Sequence, residues 1–183
     1  IVDPSSCSEM TWNRNLNGMQ QVKMYLVDRF GNHKHKEFCS SHALDMVAFA
    51  GWFEYKIAQL LSTWPGSREI WLNTVLAYND NRNPKNEIDV IVNAGNRLLF
   101  VECKTQIYNQ TDIDKFTTVV KNYGGLGAKA IFITDSNMKP QAVEKCETSK
   151  IAHFSLKDKR NVSRETNELF TLLDKIMFEN NAR

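Results

Sequence analysis

A chain of 183 residues with 42 % apolar side chains is long enough to bury a core and too apolar for a disordered tail, and it has no apolar run long enough to cross a bilayer. Its 23 basic and 21 acidic residues leave a formal charge of only +2, which excludes the broad positive field of a nonspecific nucleic-acid binder and confines any such binding to a local patch. The four cysteines, Cys7, Cys39, Cys103 and Cys146, form no CxxC pair and read as reduced thiols in a soluble, cytoplasmic protein; the start at Ile1 leads us to expect a piece of a longer chain.

Residues 1 to 19 carry no readable pattern. From Gln20 to Phe38 the alternation Val22, Met24, Leu26 and the break at Gly31-Asn32 predict a hairpin. Apolar residues recur near helical spacing from Ala43 to Leu61, and Trp64-Pro65-Gly66 stops that helix. Three strand-like runs follow, Glu69 to Tyr78, Glu87 to Val92 and Arg97 to Thr105, with turns at Asn79 to Asn86 and Asn93 to Asn96. Thr111 to Tyr123 reads as a helix, Gly124-Gly125-Leu126-Gly127 breaks it, and the wholly apolar Ala128 to Thr134 reads as a buried strand. Met138 to Thr148 predicts a further helix, Ile151 to Leu156 a short strand, and Arg164 to Phe178 a closing amphipathic helix. This order gives an α/β sandwich with a mixed sheet covered on both faces. We expect residues 1–42 to form an N-terminal extension carrying the hairpin and 43–183 to form the main domain.

The third run, Leu98-Leu99-Phe100-Val101-Glu102-Cys103-Lys104-Thr105-Gln106, carries the chemistry. Side chains alternate along a strand, so Glu102, Lys104 and Gln106 share one face inside an otherwise apolar segment, where charges need partners. Glu87 and Asp89, also two apart, lie across a short turn on the neighbouring strand. Hard divalent cations such as magnesium or manganese bind through one or two carboxylates with water and substrate phosphate, which suits Asp89 and Glu102. A cation there would activate water, and Lys104 would position or deprotonate that water and neutralise developing charge.

Asp89 followed by Glu102-Cys103-Lys104 resembles the signature of the PD-(D/E)XK nuclease superfamily. With Gly51-Trp52-Phe53-Glu54 on the preceding helix, Asn86-Glu87-Ile88-Asp89-Val90 opening the second strand, and Gly124-Gly125-Leu126-Gly127-Ala128-Lys129-Ala130 after the next helix, residues 40 to 135 are similar to the C-terminal nuclease domain of CRISPR-associated proteins that carry a cyclic-oligoadenylate-sensing CARF domain. The resemblance implies a restriction-endonuclease-like sandwich cutting DNA or RNA with Mn2+ or Mg2+ in antiviral defence. It implies Asp89, Glu102, the Cys103 backbone carbonyl and Glu54 as metal ligands, and Lys104 as the catalytic lysine. Glu87 and Gln106 are read as supporting residues, and Lys115, Lys121 and Lys129 as phosphate contacts. A homodimer, an upstream CARF sensor and cyclic oligoadenylate are the partners implied, with no membrane.

Blander readings stand beside these. Glu102 and Lys104 would be solvent-facing charges on an edge strand, Glu54 a solvated helix residue, Gln106 an ordinary strand residue, and the lysines solvating groups. His33, His35, Cys39 and His42 hold zinc-ligand chemistry in no standard finger spacing and fit the outer side of a hairpin, while Trp52 and Phe53 fit helix core better than a base-stacking platform. The alternatives in function are a restriction or repair-type nuclease and a noncatalytic nucleic-acid-binding or assembly module of the same fold.

Overall fold

The computed structural model describes residues 7–14, 22–28, 31–38, 51–76, 86–105, 107, 110–157 and 161–179. The chain divides into two compact units, Ile1–Trp52 and Phe53–Arg183; the boundary expected at 42/43 and the start of the first predicted helix fall outside the described residues.

The first unit contains a three-stranded antiparallel sheet in the order β1 (Cys7–Arg14), β2 (Val22–Asp28), β3 (His33–Phe38). The predicted hairpin is β2 and β3, paired from Val22↔Phe38 to Val27↔His33, with Gly31 at a φ of +80° in the turn, a conformation glycine adopts without a Cβ clash. Strand β1 falls in the stretch that sequence alone left unread. Of the proposed zinc group, His33 is exposed, and the side chains of His35, Cys39 and His42 lie outside the described residues.

The second unit holds a five-stranded mixed sheet flanked by four helices, as in a restriction-endonuclease-like sandwich. Its strands are β4 (Glu69–Leu76), β5 (Asn86–Asn93), β6 (Leu98–Lys104), β7 (Lys129–Thr134) and β8 (Ala152–Ser155), neighbours in that order. The pairs β4–β5 and β5–β6 are antiparallel, the second joined by a short turn, whereas β6–β7 and β7–β8 are parallel and need crossovers. Helix α1 (Gly51–Ser62) precedes β4; α2 (Thr111–Tyr123) and α3 (Pro140–Thr148) form the crossovers; α4 (Val162–Phe178) closes the chain.

Strand β7 shows why the middle of the sheet reads as continuous apolar sequence. Ala130 and Phe132 join a core cluster with Ile91, Phe100, Ile113 and Phe116, and Ile131 and Ile133, which alternate with them, are also fully buried. The Phe116 and Phe132 rings meet edge to face with centroids 5.0 Å apart. Helices α1 and α4 bury Phe53, Ile57 and Leu61, and Leu169, Leu173 and Met177. Phe53 is therefore core, as its helical spacing suggested.

The predicted stop after α1 has a packing reason. Trp64 is buried and its indole Nε1 donates to Asp174 Oδ1 on α4 at 3.0 Å. A Cβ at Gly66 would lie 2.4 Å from the Trp64 ring, so the chain can turn there only with glycine. Gly66→Ala should lower unfolding free energy by about 1–3 kcal/mol through overpacking against this fixed ring. Urea denaturation checks this, and an unchanged midpoint would contradict it.

Candidate active site

The site is built where the sheet opens around Asp89. On one side of β5, the β4–β5 ladder runs through Leu72↔Val90 and Thr74↔Ile88 but skips the position that would pair Asn73 with Asp89, resuming in the same register. On the other side, the β5–β6 ladder ends at Val90↔Val101, one residue short of Asp89 and Glu102. Asp89 thus lies at a gap in both ladders. Ile88 and Ile91 belong to the same apolar cluster although three residues apart, so the strict alternation of a strand slips between them.

Side-chain chemistry fills the gap. Cys103 N–H, beyond the end of the β5 ladder, donates to Asp89 Oδ2 at 2.7 Å, so a carboxylate takes the place of a strand carbonyl. Glu102 and Lys104 remain anchored from the far side through the parallel pairs Glu102↔Phe132 and Lys104↔Thr134. They share a face as the period of two requires, and Lys104 Nζ lies 2.9 Å from Glu102 Oε1 with the carboxylate 14 % and the ammonium 34 % exposed. That exposure excludes a solvent-facing edge for Glu102: β6 is central, between β5 and β7.

Electrostatics ties the elements together. Burial, then the Asp89 charge, pushes the Glu102 carboxyl up to about 7 against the pull of Lys104. Burial, then Asp89 and Glu87, pushes Glu54 in the first turn of α1 up to about 7, opposed by Lys104 and by a hydrogen bond from the Asn73 side chain. Burial also raises Asp89, although the Cys103 N–H and Lys104 pull it down. Burial alone would lower the Lys104 ammonium, but Glu102, Asp89 and Asp112 outweigh it and hold it above the ordinary lysine range. Burial, reinforced by Asp89 and Glu54, raises the Cys103 thiol well above its usual value, so it stays protonated.

Asp89 and Lys104 therefore act on both Glu54 and Glu102, linking groups from three elements, and Glu87, which is exposed, adds its charge to Glu54 and Asp89. Gln106 lies outside the described residues. Lys115 and Lys121 are exposed on α2; Lys129 opens β7 opposite Leu99, five residues and roughly 16 Å along the strand from Thr134 beside Lys104. Two participants were not singled out from sequence. Asp112, in the first turn of α2, acts on both Glu102 and Lys104, and acidic residues at a helix start were its only signal. Asn73, at a φ of +50°, interrupts the apolar run Trp71 to Leu76, and an Asn inside a strand was the signal there.

Among the described residues, no three His, Cys, Asp or Glu side chains are arranged as a ready-made metal cage. Asp89 and Glu102 are instead an oxygen-only pair, desolvated by burial, in which the Asp89 charge acts against that of Glu102. Such a donor set fits a hard divalent cation that keeps part of its water shell.

No family model matches the chain, and no curated protein matches it in sequence. Solved structures share its fold. Protein VC1899 from Vibrio cholerae superposes with a TM-score of 0.59 at 20 % identity over 74 % of this chain and 36 % of its own. Can2 from Sulfobacillus thermosulfidooxidans, solved in complex with cyclic tetra-adenylate, superposes with a TM-score of 0.58 at 22 % identity over 78 % of this chain and 40 % of its own. The chain thus matches well under half the length of either.

The raised carboxyls set a pH dependence of known sign. In the unfolded chain Glu54 and Glu102 ionise near 4.5, and in the folded protein near 7, so between these values the folded state holds more protons. Unfolding free energy should fall as pH rises from about 4.5 to about 7. Glu102→Gln should flatten that slope by removing one of the groups. Urea unfolding at a series of pH values measures it, and identical slopes in the two proteins would contradict the assignment.

Proposed function

We propose that the second unit is a divalent-metal-dependent endonuclease domain hydrolysing DNA or RNA phosphodiesters. The observation that carries the reading is the meeting of the Asp89 and Glu102 carboxylates with the Lys104 ammonium at the opened edge of β5. The charge balance supports it. Glu54, Asp89, Glu102 and Asp112 act on one lysine, with Glu87 beside Glu54 and Asp89, a field that repels a phosphodiester unless a cation reverses it.

Asp89, Glu102 and the Cys103 carbonyl would hold Mn2+ or Mg2+, with Glu54 completing the set from α1. When bound, the ion would stabilise charge on the phosphoryl oxygens and lower the pKa of an attacking water. Lys104 is held protonated by its carboxylate neighbours, which favours a role in binding a phosphate oxygen and neutralising developing charge over one as a general base. Asp89 keeps the Cys103 backbone fixed while presenting its carboxylate to the same space, so ligand geometry is set by the main chain. Burial around the carboxylates desolvates them, which strengthens each of these interactions.

The likeness to Can2, solved with cyclic tetra-adenylate, supports the finer reading of a CRISPR-associated effector whose cutting domain is joined to an upstream CARF sensor, works as a homodimer and is switched on by cyclic oligoadenylate. With Mn2+ or Mg2+, the protein should cleave single- or double-stranded DNA or RNA, and EDTA should stop it. Glu102→Ala and Lys104→Ala should each lower the rate by about 10²- to 10⁴-fold with circular dichroism unchanged. Cleavage that survives either substitution or EDTA would overturn the reading, and metal-independent binding without cutting would point to a noncatalytic module.

A further inference from the structure

Lys104 is the last residue of β6, and past Val101 that strand has left its backbone ladder with β5. From Glu102 onward the bond from Cys103 N–H to Asp89 Oδ2 stands in for that ladder, so whatever fastens β6 to β7 sets where Lys104 stands. The β7 ladder is itself running out at this point. Asp135 N–H reaches the Lys104 carbonyl at 3.3 Å, long for such a bond, whereas one strand further on Leu156 N–H reaches the Thr134 carbonyl at 2.7 Å.

A side chain takes over where the backbone bond weakens. Ser136 Oγ donates to the Thr105 carbonyl at 2.8 Å, one residue beyond Lys104. The turn that carries Ser136 is fixed in its own right: Thr134, 1 % exposed, has its Oγ1 2.7 Å from the Ser136 carbonyl and 2.9 Å from Ser155 Oγ. A carbonyl only accepts, so the single Thr134 hydroxyl proton goes to Ser136, and Ser155 donates to Thr134. The contact from Thr134 Oγ1 to the Phe154 carbonyl, at 3.5 Å, is too long to compete. Three hydroxyls, of Ser155, Thr134 and Ser136, thereby join the ends of β8, β7 and β6 and finish on the Thr105 carbonyl.

These bonds differ from the hydroxyl bonds on the helices. Thr117, Thr148 and Thr171 each donate to a carbonyl four residues back, where the bond fastens nothing but its own helix. Ser136 and Thr105 are 31 residues apart, and Thr134 and Ser155 are 21. Bonds of that span tie separate strands together.

We propose that Ser136 is a positioning residue for Lys104: its hydroxyl closes the end of β6 onto β7 one residue past the lysine, and Thr134, held by Ser155, fixes the turn that aims it. The Asp89 carboxylate does the same for Cys103 on the other side, so the strand end that carries Lys104 is held between two side chains acting as rungs. That the lysine acts on a phosphate rests on the function proposed above; the fastening of β6 does not. A misplacement of about 1 Å can cost about 100-fold in rate, so one hydroxyl here reaches the chemistry through Lys104.

Ser136→Ala removes the bond and Ser136→Thr keeps it. In the metal-free protein, hydrogen exchange of the Asp135 amide should be about 3- to 10-fold faster in Ser136→Ala, the loss of one hydrogen bond, and near wild type in Ser136→Thr. The Leu156 amide, which donates to Thr134 on the far side, is the reference, because a general loss of stability would speed both amides alike. With Mn2+ and an RNA or DNA that the wild type cuts, Ser136→Ala should lower kcat by about 10- to 100-fold with KM unchanged, and Ser136→Thr should restore it. In the Lys104→Ala background, Ser136→Ala should cost nothing further. Wild-type Asp135 exchange or wild-type kcat in Ser136→Ala, or an equal rate loss with and without Lys104, would overturn the proposal. If the wild-type protein cuts neither RNA nor DNA, the function proposed above fails and takes the role of Lys104 with it, and exchange at Asp135 still decides whether Ser136 holds the end of β6.

Discussion

The hydrogen bond from Cys103 N–H to Asp89 Oδ2 is the constraint on which the candidate site depends. A central β6 strand whose β5 neighbour has pulled away would leave a buried N–H without an acceptor, at a cost of about 1–3 kcal/mol. Asp89 supplies that acceptor from its side chain, and a hydrogen bond to a charged acceptor contributes about 1.5–3 kcal/mol, enough to offset the loss of the rung. The sheet can therefore open at this point without unravelling. The opening gives Glu102 and Lys104 room on the β5 side, while their pairing with Phe132 and Thr134 keeps them in register on the other.

Opening the sheet creates an electrostatic conflict that packing alone would not tolerate. Glu54 and Glu102 are both pushed up to about 7 and Asp89 is raised too, because burial and mutual repulsion act together and one ammonium cannot satisfy all three. A stability-driven design would place apolar residues here, as it does at Ile131 and Ile133 one strand away. Raised carboxyls concentrated at one end of an otherwise well-packed sheet are what mark this end as the candidate functional site. The Lys104–Glu102 ion pair limits the conflict but cannot remove it, since the lysine is partly solvated and its attraction is shared among Glu102, Asp89 and Asp112.

Much of this was legible in the sequence wherever the signal was local. A glutamate and a lysine two apart inside Leu98 to Thr105 cannot both be accidental on a buried strand, and period-two alternation places them on one face with no further information. The order of the strands and helices of the second unit followed from the same kind of reading, with boundaries moving by one or two residues, as where β8 spans Ala152–Ser155 inside the expected Ile151 to Leu156. What was not legible depended on pairing. Strand β1 offers few large apolar residues, Met10 and Trp12, and is defined by its ladder with β2 rather than by its own composition. The skipped rung at Asn73 comes from a left-handed peptide opposite Asp89, which alternation does not describe. A site residue on a regular element announces itself by breaking a pattern; one that acts by altering the element is hidden in it.

The same distinction bears on how the site is held. Asp89, Glu102 and Lys104 come from two strands whose central register is fixed by apolar pairs such as Val90↔Val101 and Ile91↔Phe100, so their positions follow from the core. Glu54 comes from a helix packed through Phe53, Ile57 and Leu61, and it follows directly on that buried face. A helix first turn favours a negative side chain, which partly offsets the desolvation of Glu54 but gives it no direction. β4 is the strand that lies beside β5 at Asp89. An edge strand is free to distort where a central strand is not, because only one ladder is broken when it does. The fold thus carries Asp89 and Glu102 on strands inside the sheet and Glu54 on α1.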